Sequence, residues 1–264
     1  MVALDMSRPV AAEAESRPAI RIEGVCKWFG DLKVLDTVDA EIADCEFVSI
    51  LGPSGCGKST LLRLMAGLVP YEEGNITLLD TPVESPSADV GFVFQTSNLL
   101  PWANVRKNLL LAAELDRKAT QPDEAAIAAM VETLGLTGFE DSYPHELSGG
   151  MRHRVAIGQA LIRSPRVLLM DEPFGALDAL TRDHLNVELL KIWQKEKKTV
   201  VLVTHSIAES ILLSDRVLVM SERPGRVIRD IRIDLPRPRH PSETRKDPMF
   251  GEYAAELGRL MGVA

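Results

Sequence analysis

Between residues 52 and 60 the chain reads Gly52-Pro53-Ser54-Gly55-Cys56-Gly57-Lys58-Ser59-Thr60. This stretch fits the pattern G-x-x-x-x-G-K-[ST], in which glycines let a loop curl until successive backbone N–H groups face one centre. It follows the apolar run Phe47–Leu51 and precedes a helical repeat of apolar residues at Leu61, Leu64, Met65 and Leu68. Strand, loop and helix in this order predict a phosphate-binding loop at the end of a buried strand.

The residue types in this loop suit a triphosphate and a divalent cation. Free N–H groups and a helix N-terminus both favour negative charge. Lys58 is expected to reach the β- and γ-phosphates, and the Ser59 hydroxyl to bind Mg²⁺. We therefore assign all nine residues to nucleotide binding. The alternative, a glycine-rich turn that only resembles the motif, is disfavoured by the strand and helix on either side.

Two acids follow a second apolar strand. Val167–Met170 is strand-like and is followed directly by Asp171 and Glu172. Ligands of open parallel sheets bind at the carboxyl ends of strands, where Asp171 suits the Mg²⁺ shell. Glu172 is then placed to orient or deprotonate an attacking water. By itself, the pair could equally be two solvated acids, but a neighbouring phosphate loop favours the catalytic interpretation.

Single polar residues occur near three more strand ends. Gln95 follows Val90–Phe94, His205 follows the strand that begins at Thr199, and Asp178 lies six residues after Glu172. A lone Gln or His at such a position is more often a structural hydrogen-bonding group. The order of these residues along the chain is therefore the evidence, and not any one of them.

A second glycine-containing site is Leu147-Ser148-Gly149-Gly150-Met151. Ser148 is a good helix N-cap, and the two glycines expose N–H groups, so this helix start could bind an anion or could be an ordinary capped helix. One nucleotide cannot easily touch both glycine-rich sites if the segment between them projects from the core.

The wider pattern predicts an α/β fold. Short β-branched runs alternate with helical repeats, which is typical of a mostly parallel sheet covered on both faces. Residues 20–42 alternate and turn like an antiparallel β layer, and strand signals stop between residues 95 and 165. We expect a flexible leader at 1–19, one α/β domain at 20–240 with a helical insertion at about 96–164, and a tail at 241–264 with a short helix.

Composition excludes several classes of protein. The 264 residues carry 38 acidic and 30 basic side chains, a net charge of −8, so we expect no nucleic-acid partner. Three scattered cysteines fit neither a disulfide framework nor a zinc site and suggest a reducing compartment. We expect neither a signal peptide nor a membrane span, so any membrane role must come through a partner.

Taken together, these motifs resemble those of the ATP-binding subunits of ABC transporters. The matching motifs, in the order of that family, are Walker A (Gly52–Thr60), the Q-loop glutamine (Gln95), the signature (Leu147–Met151), Walker B with its glutamate (Val167–Glu172), the D-loop (Asp178) and the switch histidine (His205). The resemblance covers about residues 20–240. It implies a P-loop NTPase core, ATP and Mg²⁺ as cofactors, and a head-to-tail homodimer with two ATP molecules between the subunits.

The resemblance also implies roles for single residues. Ser148, Gly149 and Gly150 would contact the γ-phosphate held by the partner's Walker A, Gln95 would join the Mg²⁺ site to the helical insertion, and His205 would contact the γ-phosphate. Phe29 matches the aromatic residue that stacks on adenine, with Trp28 as competitor and a core ring as the alternative.

Four positions depart from the common pattern of the family: Met151 for Gln, Cys45 for Gly, Phe29 for Tyr and Ser206 for Asp. None of these changes removes a chemical group that the reaction needs. We therefore still expect an active ATPase that hydrolyses ATP to ADP and phosphate.

Three local strings resemble the nitrate, sulfonate and taurine importer branch: Leu99–Trp102, Ser221–Arg226 and Leu235–Arg239. They imply a subunit that energises import of a small organic anion or heterocycle. Its partners would be a membrane permease, gripped by a surface that includes Trp102, and a substrate-binding protein. The location would be peripheral, on the cytoplasmic face of the inner membrane.

Other interpretations remain open at this stage. A soluble, non-transport ABC ATPase is one, although Pro101 and Trp102 favour a permease partner. An importer subunit for another substrate class is a second. An unrelated P-loop enzyme, such as a small-molecule kinase, is a third, but it would have no use for Leu147–Met151.

Overall fold

The computed structural model describes residues 18–115, 122–175 and 177–263. Within these ranges ten strands follow one another: β1 (Pro18–Phe29), β2 (Leu32–Ala43), β3 (Phe47–Leu51), β4 (Glu73–Leu78), β5 (Thr81–Pro82), β6 (Val90–Val93), β7 (Val167–Asp171), β8 (Thr199–Thr204), β9 (Arg216–Met220) and β10 (Val227–Arg232). The helices of the same ranges are α1 (Lys58–Met65), α2 (Val105–Leu115), α3 (Glu124–Thr133), α4 (Gly149–Leu161), α5 (Ala179–Glu196), α6 (Ile207–Leu213), α7 (Pro241–Thr244) and α8 (Pro248–Leu260).

A six-stranded sheet with the order β10-β9-β3-β8-β7-β6 forms the centre. Its neighbours from β9 to β6 pair in parallel, and β10 closes one edge antiparallel to β9. The strands β3, β7 and β8 are buried along their whole length, as expected for parallel strands covered on both faces. The carboxyl ends of β3, β7 and β8 therefore lie side by side.

A smaller antiparallel sheet has the order β2-β1-β4-β5. The alternating burial of β1 turns Ile20, Ile22 and Val25 toward the core. This sheet confirms the antiparallel layer that the alternation of residues 20–42 predicts.

The two faces of the large sheet pack against different helices. On β7, Val167 and Leu169 belong to the core cluster that contains α1 and the small sheet. Leu168 and Met170 point the other way, into the cluster that contains α2 to α5. Because strand side chains alternate between faces, α1 and α4 lie on opposite sides of the sheet.

The segment between β6 and β7 is helical, as predicted. It contains α2, α3, a short 3₁₀ turn at Pro144–Glu146 and α4. Asp123 caps α3 by accepting from the N–H of Ala126 at 2.8 Å, and Ser148 caps α4. The α/β fold with a parallel core, an antiparallel layer and a helical subdomain is confirmed.

Some boundaries differ from expectation. The strand predicted over Val90–Phe94 ends at Val93, and β10 ends at Arg232 although inward alternation continues through Ile233 and Leu235. The N–H of Ile233 still donates to the carbonyl oxygen of Asp215, the residue before β9, at 2.8 Å. Residues 1–17 of the predicted leader lie outside the described residues, and β1 begins at Pro18.

Near the carboxyl end, α8 packs with Phe250 and Leu257 against β9 and the residues after β10. Arg239 is buried and donates to five carbonyl oxygens, those of Ile211, Leu212, Ser214, Ile233 and Leu235. These bonds join the segment after β10 to the end of α6. No helix in the described ranges is long and apolar enough to cross a membrane.

Candidate functional site

The loop between β3 and α1 has a backbone that only glycine accommodates easily. Gly55 and Gly57 have φ values of +76° and +112°, and a Cβ on Gly57 would lie 2.7 Å from Leu35 Cδ2. Lys58 opens α1 and is buried, and its Nζ donates to the carbonyl oxygens of Gly52 (2.8 Å) and Pro53 (2.9 Å). A buried ammonium group is thus held against a tightly curled loop.

The Cys56 side chain faces the protein interior. It is only 1% exposed, and its Sγ lies 3.1 Å from where a Cβ on Gly52 would be. Burial raises the pKa of this thiol. The thiol therefore fills the space behind the loop and does not line its open side.

Ser59 and Asp171 come together from two elements. Ser59 Oγ donates to Asp171 Oδ1 at 2.6 Å, and Arg63 approaches the other carboxylate oxygen at 3.6 Å. Asp171 is 2% exposed, and burial raises the pKa of its carboxyl. A hydroxyl and a carboxylate are oxygen ligands of the kind that Mg²⁺ prefers, so these two residues fit a magnesium site. Gln95 is exposed in the loop that follows β6, the neighbour of β7.

Glu172 and His205 extend from adjacent strand ends. Asp171 and Val203 are paired in the β7–β8 register, and the next residues bring Glu172 Oε2 to 3.2 Å from His205 Nδ1. Glu172 has a φ of +44°, a strained value for a residue other than glycine. Such strain persists where surrounding structure fixes it, and it clusters at active sites. Here the N–H of Glu172 donates to Val203 O at 3.0 Å.

The second glycine-containing site lies at the start of α4. Ser148 accepts from the N–H of Met151 at 3.2 Å, and Asp178 caps α5 by accepting from the N–H of Thr181 at 3.0 Å. The side chain of Thr181, and then this N–H, lower the pKa of the Asp178 carboxyl by hydrogen bonding to it. A Cβ on Gly150 would lie 3.2 Å from Thr181 Cγ2, so the starts of α4 and α5 are adjacent.

Phe29, at the end of β1, is 52% exposed and is not a core ring. Lys27 places its Nζ 5.0 Å from the ring centroid and is itself held by Glu72 at 2.6 Å. Trp28, the competing ring, is half-buried, with Lys33 Nζ 4.7 Å from its centroid. Of these two rings, Phe29 is the more accessible one for stacking.

Trp102 is 73% exposed in the loop before α2. The fully buried Asn108 holds this loop, since its side chain bonds both the N–H (2.8 Å) and the carbonyl (3.2 Å) of Leu100 and the carbonyl of Ala103 (2.8 Å). An exposed indole on an anchored loop is available for contact with another protein.

Two residues near the site were missed by sequence reasoning. Glu209 on α6 is buried beneath His205 and accepts from Thr204. Arg223 lies in the turn after β9 and donates to the phosphate loop. Only the second had a sequence signal, because it belongs to the string Ser221–Arg226.

Comparisons of the sequence with known proteins find relatives in one family. The family model described as ABC transporter matches residues 35–175. An uncharacterized ABC transporter ATP-binding protein of Methanocaldococcus jannaschii is 48% identical over 92% of this chain and 91% of its own length. The aliphatic sulfonates import ATP-binding protein SsuB of Bacillus cereus is 46% identical over 83% of this chain and 88% of its own length.

Solved structures give the same result. A dimeric post-hydrolysis state of the ATP-binding cassette MJ0796, bound to ADP and Pi, superposes with a TM-score of 0.70 at 31% identity, covering 82% of this chain and 99% of that one. CbiO1 from Clostridium perfringens, part of the transporter complex cbiONQ, has a TM-score of 0.74 over 94% of this chain and 98% of its own, but at 24% identity it shows the fold alone.

Proposed function

Since this chain belongs to the ABC transporter family of ATP-binding subunits, we propose that it energises an importer for a small organic anion or heterocycle, of the nitrate, sulfonate and taurine type. The resemblance of its motifs to those of the ATP-binding subunits of ABC transporters is confirmed by these relatives. The proposed ATPase activity is supported by three contacts along one edge of the parallel sheet. Lys58 donates to the phosphate loop, Ser59 donates to Asp171, and Glu172 lies next to His205.

Different residues would bind the phosphates, the base and the Mg²⁺ ion of the nucleotide. The loop Gly52–Thr60 wraps the phosphates, Lys58 neutralises their charge, and Phe29 stacks on the base. Ser59, Asp171 and Gln95 would hold Mg²⁺, which neutralises charge on the β- and γ-phosphates when it is bound.

Hydrolysis would use Glu172 and His205, the residues that directly follow β7 and β8. Glu172 orients the attacking water and accepts its proton, while His205, 3.2 Å away, contacts the γ-phosphate. The strained backbone at Glu172 directs this carboxylate without needing a nucleotide to arrange it.

Closure of two copies would complete each site. Ser148, Gly149 and Gly150 of one copy meet the γ-phosphate held by the other, and Asp178 lies beside them at the start of α5. Gln95 then links phosphate state to the helical subdomain, whose movement is passed to a permease through the loop that carries Trp102. The complete importer would add a substrate-binding protein, and the chain would sit on the cytoplasmic face of the membrane.

The substrate branch is supported by two facts of different kinds. SsuB proteins, named for import of aliphatic sulfonates, are about as similar to this chain as any relative described above. The strings Leu99–Trp102, Ser221–Arg226 and Leu235–Arg239 resemble the same branch.

Affinity purification tests the transport proposal. The tagged chain is recovered from gently solubilised native membranes, and its partners are identified by mass spectrometry. Trp102→Ala serves as the test variant, and Met249→Ala, an exposed apolar residue on α8, is the matched control. We expect a multi-span permease with the wild type and the control and much less with Trp102→Ala. Recovery of soluble partners alone would contradict the importer and favour a non-transport ATPase.

A further inference from the structure

The turn Ser221–Arg226, between β9 and β10, is anchored to β2. The N–H of Gly225 donates to Val34 O at 2.8 Å, and the N–H of Asp36 donates to Gly225 O at 3.0 Å. Arg226 Nε donates to Asp36 Oδ2 at 2.8 Å. Lys33 and Arg226 together lower the pKa of Asp36 to about 2, so this anchor is an ion pair at neutral pH.

The anchored turn packs directly on the phosphate loop. A Cβ on Gly225 would lie 2.2 Å from the carbonyl oxygen of Cys56, a distance that no side chain could occupy. On the other side of the loop, a Cβ on Gly52 would lie 3.1 Å from Met220 O at the end of β9. The backbone of the turn is therefore in van der Waals contact with the backbone that surrounds the phosphates.

From this turn, Arg223 reaches across to the tip of the loop. Its Nε donates to Gly55 O at 3.0 Å, and its terminal nitrogen lies 3.1 Å from where a Cβ on Gly55 would be. Among the residues that the structure describes, the Gly55 carbonyl is the only hydrogen-bond acceptor of the exposed Arg223 side chain. None of the three anchors to β2 involves this side chain, so the turn keeps its place without it.

The hydrogen bond from Arg223 to the Gly55 carbonyl fixes the orientation of the peptide between Gly55 and Cys56. A trans peptide bond is planar, so a carbonyl that is held outward turns the N–H on the same peptide inward. That N–H belongs to Cys56, and it points to Pro53 O at 3.4 Å, the oxygen that also accepts from Lys58. Gly55 has a φ of +76° and rotates easily, so an external bond has a large effect on its conformation.

We propose that Arg223 is a positioning residue for nucleotide binding: its guanidinium group holds the Gly55 peptide in the orientation that closes the loop around the β-phosphate. This inference rests on the proposed function of the loop. Because ATP and ADP share the β-phosphate, Arg223 acts on both nucleotides equally. It does not contact Glu172 or His205, so it acts on binding and not on the hydrolytic step.

The test compares Arg223→Met with Arg229→Met in the full-length chain, because methionine matches the length of the side chain up to Nε but has no hydrogen-bond donor. Arg229 is an exposed arginine on β10, so the control removes the same charge from the same region without touching the loop. The dissociation constants of MgATP and MgADP are measured by titration calorimetry, together with KM and kcat for ATP hydrolysis. We expect Arg223→Met to raise both dissociation constants and KM about three- to tenfold, the range of one ordinary hydrogen bond at an exposed side chain, and to leave kcat within twofold.

Three results would overturn the assignment: unchanged dissociation constants, a loss for MgATP alone, or an equal loss in the control. A lower melting temperature with unchanged constants would also overturn it, because a merely structural arginine behaves in that way. Failure of the wild type to bind either nucleotide would instead refute the proposed function. Wild-type binding with no effect of Arg223→Met would refute only the role of Arg223.

Discussion

Glu209 is a buried acid close to the reacting groups that has no assigned part in the chemistry. Its Oε2 accepts from Thr204, the residue before His205, while its Oε1 has no hydrogen-bond partner among the residues that the structure describes. The charged groups that face it are Arg182 on α5, His205 after β8 and Glu172 after β7. Burial raises the pKa of the Glu209 carboxyl, and the nearby Glu172 adds to this effect. The folded state thus favours the protonated acid.

The raised pKa predicts a pH-dependent stability. A carboxyl whose pKa is higher in the folded state stabilises the fold at pH values below its unfolded pKa, and this stabilisation is lost as the pH rises through the folded value. Glu209→Gln removes the titration but keeps the shape. We therefore expect the variant to gain stability relative to the wild type as the pH rises from 5 to 8.

Urea denaturation at both pH values measures this difference, with Glu252→Gln on the exposed face of α8 as control. The control should show the same difference from the wild type at both pH values. If the stability of Glu209→Gln relative to the wild type does not change with pH, Glu209 is ionised throughout and the argument from burial is wrong.

At the scale of elements, β6 and α4 approach each other at Gly91. A Cβ there would lie 2.7 Å from Ala160 O and 2.9 Å from Pro165 Cγ. The nearer atom is helix backbone, which cannot rotate away as a side chain can. This contact fixes the distance between the strand that leads to Gln95 and the helix that begins at Gly149.

Gly91→Ala should therefore destabilise the protein by about 1–3 kcal/mol, the usual cost of overpacking. Gly251→Ala on α8 is the matched control, because nothing lies within 4 Å of its added methyl and alanine favours a helix. Thermal unfolding should give a lower melting temperature for the first variant and an equal or higher one for the second. A Gly91→Ala protein as stable as the control would show that α4 adjusts freely against β6.

Sequence patterns predicted the strands and helices that one strong local feature marks, such as an apolar run or a capping residue. The buried strands β3, β7 and β8 are uninterrupted apolar runs, and Asp123 and Ser148 mark helix starts by their capping side chains. By contrast, α6 (Ile207–Leu213) has five consecutive buried positions, two of them polar, and no exposed face, so periodicity could not reveal it. The role of Arg223 depends on a contact 168 positions away, which no local pattern encodes.

At the scale of the whole molecule, the two glycine-rich sites are separated by the sheet. The helix α1 after the phosphate loop packs on one face of β7, and α4 after Ser148 packs on the other. A single chain therefore does not bring both helix N-termini to one nucleotide. The motifs can act on the same phosphate only if a second copy supplies one of them, and a cassette dimer is among the similar solved structures.

Glu172→Gln tests this arrangement in solution. The variant keeps the backbone and the loop but loses the base that we propose for activating water, so hydrolysis should slow at least 10²-fold while ATP binding remains. With MgATP it should accumulate as a dimer, measured by size-exclusion chromatography with light scattering.

Adding Ser148→Asp to the Glu172→Gln chain supplies the discriminating control. Aspartate caps a helix as well as serine does, so α4 and the stability without nucleotide should be preserved. The new carboxylate would face the γ-phosphate of the other copy, so like charges should prevent dimerisation while each monomer still binds ATP. A double variant that dimerises as readily as Glu172→Gln would show that Ser148 does not face the nucleotide, and a monomeric Glu172→Gln at saturating MgATP would contradict the shared site itself.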